Sequence, residues 1–312
     1  MASRRGLAID GVLLLDKPEG LSSNHALQRA RRCLNAQKGG HTGTLDPFAT
    51  GLMILCFGEA TKFSGYLFQA DKSYRAHVRL GEETDSGDLT GLPVPFAGQT
   101  PDRLPSAAEI ETAAAAFLGP IEQIPPMYSA LKRDGKKLYE YARQGIEVER
   151  AARAVTLHSI AVEVLTPRDF ILDVRCSKGT YIRTLAQDIG RRLGCGAHLT
   201  ALRRTSTAGF TLDQAWTLDR LEGLERPDTA LLPLDVLLPD YEALRLDDAA
   251  AQRFMQGQTV AFPVQNSTSA PNAIQITGGV RVSDPNGKFL GTARAADGWL
   301  HPDRLIAFKE KS

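Results

Sequence analysis

The stretch GGHTGTLDPFATGLMILCFG, residues 39–58, falls into two halves of opposite character. Up to Gly51 it is rich in threonine and glycine around an Asp-Pro step, the composition of a turn-rich loop. From Leu52 to Phe57 every side chain is apolar, which marks a strand buried on both faces. A loop that runs straight into such a strand is anchored at one end and can hold a side chain rigidly. Two descriptions of Asp46 in that loop are open. It can be a turn residue that hydrogen-bonds its own backbone before Pro47. It can also be an ionised carboxylate aimed into a cleft, as nucleophilic catalysis requires.

Working outward, Gly11–Leu15 is a short apolar run closed by the turn DKPEG. After Ser22 or Ser23, both good helix caps, Ala26, Leu27, Ala30, Cys33 and Leu34 recur at helical spacing. Lys72–Leu80 alternates, with Tyr74, Ala76, Val78 and Leu80 on one face and Ser73, Arg75, His77 and Arg79 on the other. That is a half-buried strand with a basic outer face. Ser106 with Glu109 forms a capping box, and the helix it opens is expected to run through Phe117. Residues 153–177 read as two strands, 180–193 as a helix and 198–206 as a strand. Strands in runs with helices between some of them predict an α+β domain, with flanking helices around a central mixed or antiparallel sheet. The composition changes near residue 245. Ile274–Ser283, Phe289–Ala295 and Arg304–Phe308 then read as short strands, and 265–273 as a loop. The expected division is a catalytic domain over 1–245 and a small β-rich domain over 246–312.

The net charge of +1 hides a segregated distribution. Residues 1–80 carry 11 basic and 6 acidic side chains, and residues 81–125 carry 1 and 8. Residues 126–210 carry 15 and 8, and residues 211–312 carry 10 and 14. Two basic blocks flanking an acidic insert at 81–125 form one positive, nucleic-acid-binding surface if the fold joins them, and solvated scatter if it does not. The four cysteines show no C-x-x-C pair and no histidine at ligand spacing, so no metal site is expected. Motifs for dinucleotides, nucleoside triphosphates, zinc proteases and serine hydrolases are missing, so chemistry here rests on side chains and no cofactor is expected. No run has the length or polarity of a membrane span or a secretory leader, and a cytoplasmic protein is expected.

Six segments together carry a family likeness. GGHTGTLDPFATG (39–51) resembles the catalytic loop of the TruB family of tRNA pseudouridine synthases, in its bacterial form. LLLDKPEGLSS (13–23), KSYRAHVRLGEETDSGDLTG (72–91) and PPMYSALKRDGKKLYEYARQG (125–145) resemble further family motifs in the same order. CSKGTYIRTLAQDIG (176–190) and GAHLTALRRTSTAGF (196–210) complete the set. GGVRVSDPNGKFLGTARA (278–295) and DRLIAF (303–308) resemble, more weakly, the PUA-type RNA-binding module of bacterial members.

The resemblance implies isomerisation of the T-loop uridine, position 55 in tRNA convention, on a T-arm substrate and without a protein partner, by what is expected to be a monomer. It places the catalytic carboxylate at Asp46. Tyr74 falls where the family stacks a tyrosine on the target uracil, and Arg183 where an arginine pairs with the aspartate. Tyr181 and Leu202 match uracil-pocket walls. His41 matches the histidine that stacks within the RNA loop when the target base is flipped out. Lys17 and Lys62 match basic positions near the site and are expected to be phosphate or scaffold contacts. A tRNA folding factor without essential catalysis, and a synthase for another RNA, are the alternative readings. The net acidity of residues 211–312 stands against a backbone-gripping role for the last module.

Overall fold

The computed structural model describes residues 6–95, 104–261 and 278–307. Its first part is organised by a ten-stranded mixed sheet. The main strands are β1 (Gly11–Lys17), β2 (Thr50–Phe57), β3 (Lys72–Leu80), β4 (Gly119–Gln123), β5 (Arg153–Val164), β6 (Asp169–Cys176), β7 (Ala197–Thr207) and β8 (Trp216–Thr217). They lie in the order β8-β1-β2-β7-β3-β6-β5-β4, with Gly39–His41 added beside β2 and Phe210–Thr211 beside β7. β1 and β8 run parallel, as do β2 and β7, while the remaining neighbours are antiparallel. The all-apolar run of β2 is buried throughout from Leu52 to Phe57, as a strand covered on both faces must be. In β3 the alternation puts Tyr74, Ala76, Val78 and Leu80 into the core.

Helices cover the core face. α1 (Ser23–Cys33) is capped by the Ser22 side chain, which accepts from His25 N, and buries Ala26, Leu27 and Ala30. α2 (Ala107–Ala115) starts with the complete Ser106–Glu109 capping box. It ends two residues before Phe117, whose N–H bonds Ala114 O at 3.1 Å in a tighter turn. α3 (Ile182–Arg192) buries Ile182, Leu185, Ala186 and Ile189 at helical spacing against the sheet.

Folding largely cancels the charge segregation of the sequence. On the outer face of β3, Arg75 pairs with Glu163 at 2.9 Å and Asp173 at 3.4 Å, and Arg79 pairs with Asp169 at 2.8 Å. From the acidic insert, Glu83 binds Arg191 at 2.9 Å and Asp88 faces Arg183 at 3.6 Å. Much of the basic outer face is therefore a neutralised network.

The second sheet has five strands in the order β9-β11-β12-β13-β10. These are β9 (Glu242–Arg245), β10 (Val260–Ala261), β11 (Gly278–Ser283), β12 (Phe289–Ala296) and β13 (Trp299–Leu305). A helix, α4 (Asp248–Met255), packs Phe254 into its core and went unnoticed in the sequence. β9 pairs with β11, so the sheet begins upstream of the 245/246 division; four residues are too few to show an alternation. β13 starts at Trp299, five residues before the expected strand, while residues 265–277 and Phe308 lie outside the described residues.

The two sheets share a hydrophobic cluster. Phe63 meets Phe289 edge-on with ring centroids 5.3 Å apart, and Tyr66 meets Tyr241 at the same separation. Leu237, Leu238 and Ile306 pack around them. The Tyr66 hydroxyl donates to Asp303 at 3.0 Å, and Arg304 Nη1 donates to the Lys62 carbonyl at 2.6 Å. Deleting the chain beyond Leu246 uncovers Phe63, which is fully buried in the whole protein. Each large apolar side chain so exposed costs about 2 kcal/mol. The truncated protein is therefore expected to melt several degrees below the full chain by calorimetry. Equal melting temperatures would show the shared cluster to be energetically idle.

Candidate active site

The loop around Asp46 is fastened from below. The Ser23 hydroxyl, at the start of α1, donates to Leu45 O at 2.8 Å and accepts from Leu45 N at 2.7 Å. Lys17 Nζ donates to Pro18 O, Leu21 O and Pro47 O at 2.8, 2.7 and 3.2 Å, tying the DKPEG turn to the Asp-Pro step. Downstream, Gly51 has φ +106° where β2 meets β7, and a Cβ there would lie 2.3 Å from Arg204 O. Only glycine lets these parallel backbones approach so closely.

Asp46 then meets its counter-ion. Arg183 Nε stands 3.0 Å from Asp46 Oδ2. Its other nitrogens donate to Ser86 O at 2.7 Å and Tyr128 O at 2.8 Å, with Asp88 3.6 Å away. The guanidinium is 4% exposed whereas the Asp46 side chain is 35% exposed, so the carboxylate is the open end of a buried assembly. Burial pushes the Asp46 carboxyl above its usual value; the Arg183 charge works against that, and Asp88 adds to it. The exposed edge of the carboxylate and the Arg183 charge both work against that rise.

Around this pair lie the other expected side chains. Tyr74 is 8% exposed and is the cross-strand partner of Arg204. Burial raises the Tyr74 pKa and the Arg204 charge opposes the rise. Arg204 donates to Leu52 O at 2.6 Å and Gly43 O at 3.3 Å, so the strand neighbour of Tyr74 ties down both sides of the Asp46 loop. Tyr181 precedes α3, and its backbone is clamped by Gln123 through bonds of 3.0 and 3.3 Å. Leu202 is buried one turn of the pleat from Arg204. His41 is half-buried beside the loop, and its Nδ1 is buried without a hydrogen-bond partner among the described residues. Burial, aided by the Arg204 charge, lowers its pKa and favours the neutral ring. No group of side chains fit to hold a metal ion occurs among the described residues.

Comparison with known proteins fixes the family. Residues 31–182 match the N-terminal domain of the TruB family pseudouridylate synthases. Residues 183–239 match the tRNA pseudouridylate synthase B C-terminal domain, and residues 243–306 the C-terminal region of pseudouridine synthase II TruB. The chain belongs to the TruB family.

Two similar relatives are both called tRNA pseudouridine synthase B. The one from Burkholderia mallei (strain NCTC 10247) is 52% identical over 301 residues, covering 96% of this chain and 97% of the relative. The one from Bordetella avium (strain 197N) is 61% identical over 239 residues, covering 76% and 97%. A chain in the crystal structure of a Cbf5-Nop10-Gar1 complex superposes with a TM-score of 0.68 at 25% identity, covering 95% of this chain and 84% of that one. TruB membership makes the protein an isomerase.

Of the two lysines expected as phosphate or scaffold contacts, one sits elsewhere in this TruB chain and the other is a scaffold contact of the Asp46 loop. Lys62 pairs with Glu59 and donates to Leu305 O at 3.2 Å, so it belongs to the junction between the sheets and not to the Asp46 site. Lys17 lies beneath Asp46 with no exposed surface, where no phosphate reaches it. Three residues were not read as part of the site: Arg204, Asp88 and Ser23, the last of which stood out only as a candidate helix cap. Arg204 was within reach, because alternation from the inward Leu202 turns it inward too.

Lys17 offers a stability test. Burial lowers its pKa from 10.5 to about 8. The folded state thus binds fewer protons than the unfolded state between pH 8 and 10.5, and stability rises with pH through that window. The stability advantage of wild type over Lys17→Met is expected to grow by roughly 1 kcal/mol from pH 8 to 9.5 in urea titrations. A difference independent of pH would mean that the cage leaves the Lys17 pKa where it stands in the unfolded chain.

Proposed function

We propose that this protein converts the T-loop uridine of tRNA, position 55, to pseudouridine. The observation that carries it is the Asp46–Arg183 pair at 3.0 Å on an open edge beside the buried Tyr74. The isomerisation breaks the N-glycosidic bond, turns the base and joins C5 to the same ribose carbon. Asp46 supplies the ionised carboxylate next to the nucleotide, as catalytic nucleophile, and Arg183 orients it. Tyr74 stacks on the uracil and its hydroxyl takes part in moving the C5 proton. Tyr181 and Leu202 wall the pocket, and neutral His41 fills the space the flipped base leaves. The names of the similar relatives support tRNA as the substrate. The hairpin Lys132–Lys137, with Lys136 4.7 Å from the Tyr141 ring and Arg143 5.3 Å from the Tyr139 ring, supplies the mixture of cations and aromatics suited to RNA. The setting we propose is a cytoplasmic monomer.

The test is incubation of purified protein with an unmodified tRNA transcript, followed by pseudouridine mapping. Conversion at position 55, abolished when that uridine is replaced by cytidine, is the expected result. Conversion only at another position, or in another RNA, would redirect the substrate assignment. Folding assistance with no conversion anywhere would favour the folding-factor alternative.

A further inference from the structure

The second sheet has two unlike faces. In the β12–β13 hairpin Ala295 pairs with Leu300, and both are buried against Phe254 and Val260. The neighbouring pairs, Arg294 with His301 and Ala296 with Trp299, therefore point the other way. Arg294 and His301 are exposed, and Trp299 is 49% exposed, a large uncovered area for an indole. Arg294 makes no ion pair among the described residues. Across β11, Gly279 pairs with Arg294, and the Tyr241 ring lies where a Cβ of residue 279 would stand, 2.4 Å from it. Tyr241 in turn packs on Tyr66 of the first part. One face thus runs from the junction between the sheets, through Tyr241 and Arg294, to His301 and Trp299.

The acidity of this part of the chain does not describe that face. Asp247 caps α4 by accepting from Ala250 N at 2.7 Å. Asp284 holds a turn through Asn286 N and Lys288 N, both at 2.9 Å. Asp303 accepts from Tyr66 and Thr292 at the junction. Asp297 forms the hairpin tip with φ +51°. What the outer face offers is an indole flanked by cationic and imidazole side chains.

We infer that the Arg294–His301–Trp299 face docks an unpaired nucleotide of the RNA substrate outside the T-arm, its base stacked on Trp299 and its phosphate on Arg294. An exposed indole beside an unpaired arginine suits a nucleotide, because every base has a stacking face and every phosphate a charge. The inference rests on the tRNA reading above and adds a second point of contact.

Full-length variants Trp299→Ala, Trp299→Phe and Arg294→Glu test it on two RNAs, whole tRNA and the isolated T-arm hairpin. Trp299→Ala and Arg294→Glu are expected to weaken whole-tRNA binding about tenfold, and Trp299→Phe less than threefold, because a ring remains. Arg294→Glu should also flatten the salt dependence. Hairpin binding and isomerisation are expected to be unchanged in all three. Unaltered whole-tRNA affinity in Trp299→Ala would overturn the inference and leave the face to another class of partner. An equal loss on the hairpin would overturn it as well. A wild type that binds whole tRNA through Trp299 but isomerises neither RNA would sink the T-loop proposal and leave this face standing.

Discussion

Asp46→Asn is expected to cut single-turnover isomerisation by more than ~10^3-fold while RNA affinity stays within about threefold. Asparagine preserves the shape of the side chain, and the loop keeps its anchors at Ser23, Lys17 and Gly51. What disappears is the negative charge and the nucleophilic oxygen. Arg183 keeps Ser86 O, Tyr128 O and the Asp88 carboxylate, so its charge stays solvated by protein groups. The fold should therefore survive, and melting will separate a chemical defect from a structural one. Turnover within tenfold of wild type in a stable Asp46→Asn protein would remove Asp46 from the chemistry.

Arg183→Lys is expected to slow the chemical step about a hundredfold and to move the acid limb of the pH–rate profile to higher pH. A lysine ammonium keeps the charge but cannot span Asp46, Ser86 O and Tyr128 O together, so the carboxylate loses its fixed orientation. The sign of the pH shift follows from the active form. Asp46 must be ionised, burial and Asp88 both favour its protonated form, and Arg183 is the main opposing influence. Weakening that influence raises the pKa, so activity is lost at a higher pH as acid is added. An acid limb that stays in place would mean Arg183 acts on geometry alone.

The architecture was readable where packing repeats along the chain. Alternation located β3, the apolar run located β2, and Ser106 with Glu109 located the start of α2, because each is a local pattern with a fixed period or spacing. The Asp46 loop, Tyr74 and Arg183 stood out through their resemblance to a known set of motifs, and the structure brings them together. Contacts made by the backbone stayed hidden. Ser86 and Tyr128 hold Arg183 through carbonyl oxygens, which every residue possesses, so no residue type announces them. Lys17 and Lys62 read alike in the sequence, as phosphate or scaffold contacts. One proved to be caged by three carbonyls and the other ion-paired at a junction, which only tertiary distance distinguishes. The outer face of β3 seemed basic because its acidic partners, Glu163, Asp169 and Asp173, lie on strands far along the chain.

The grip on Arg183 draws on segments 97 and 55 residues away in sequence as well as on the Asp46 loop. Short-range elements such as α1 form from neighbours, but this constellation exists only after several long chain closures have been made. A refolding or nascent chain can thus form its local helices while still unable to present an aligned carboxylate. Competence requires that the insert and the 125–145 stretch have closed over the guanidinium. A half-assembled chain would hold a stretch of RNA, if at all, without being equipped to change it.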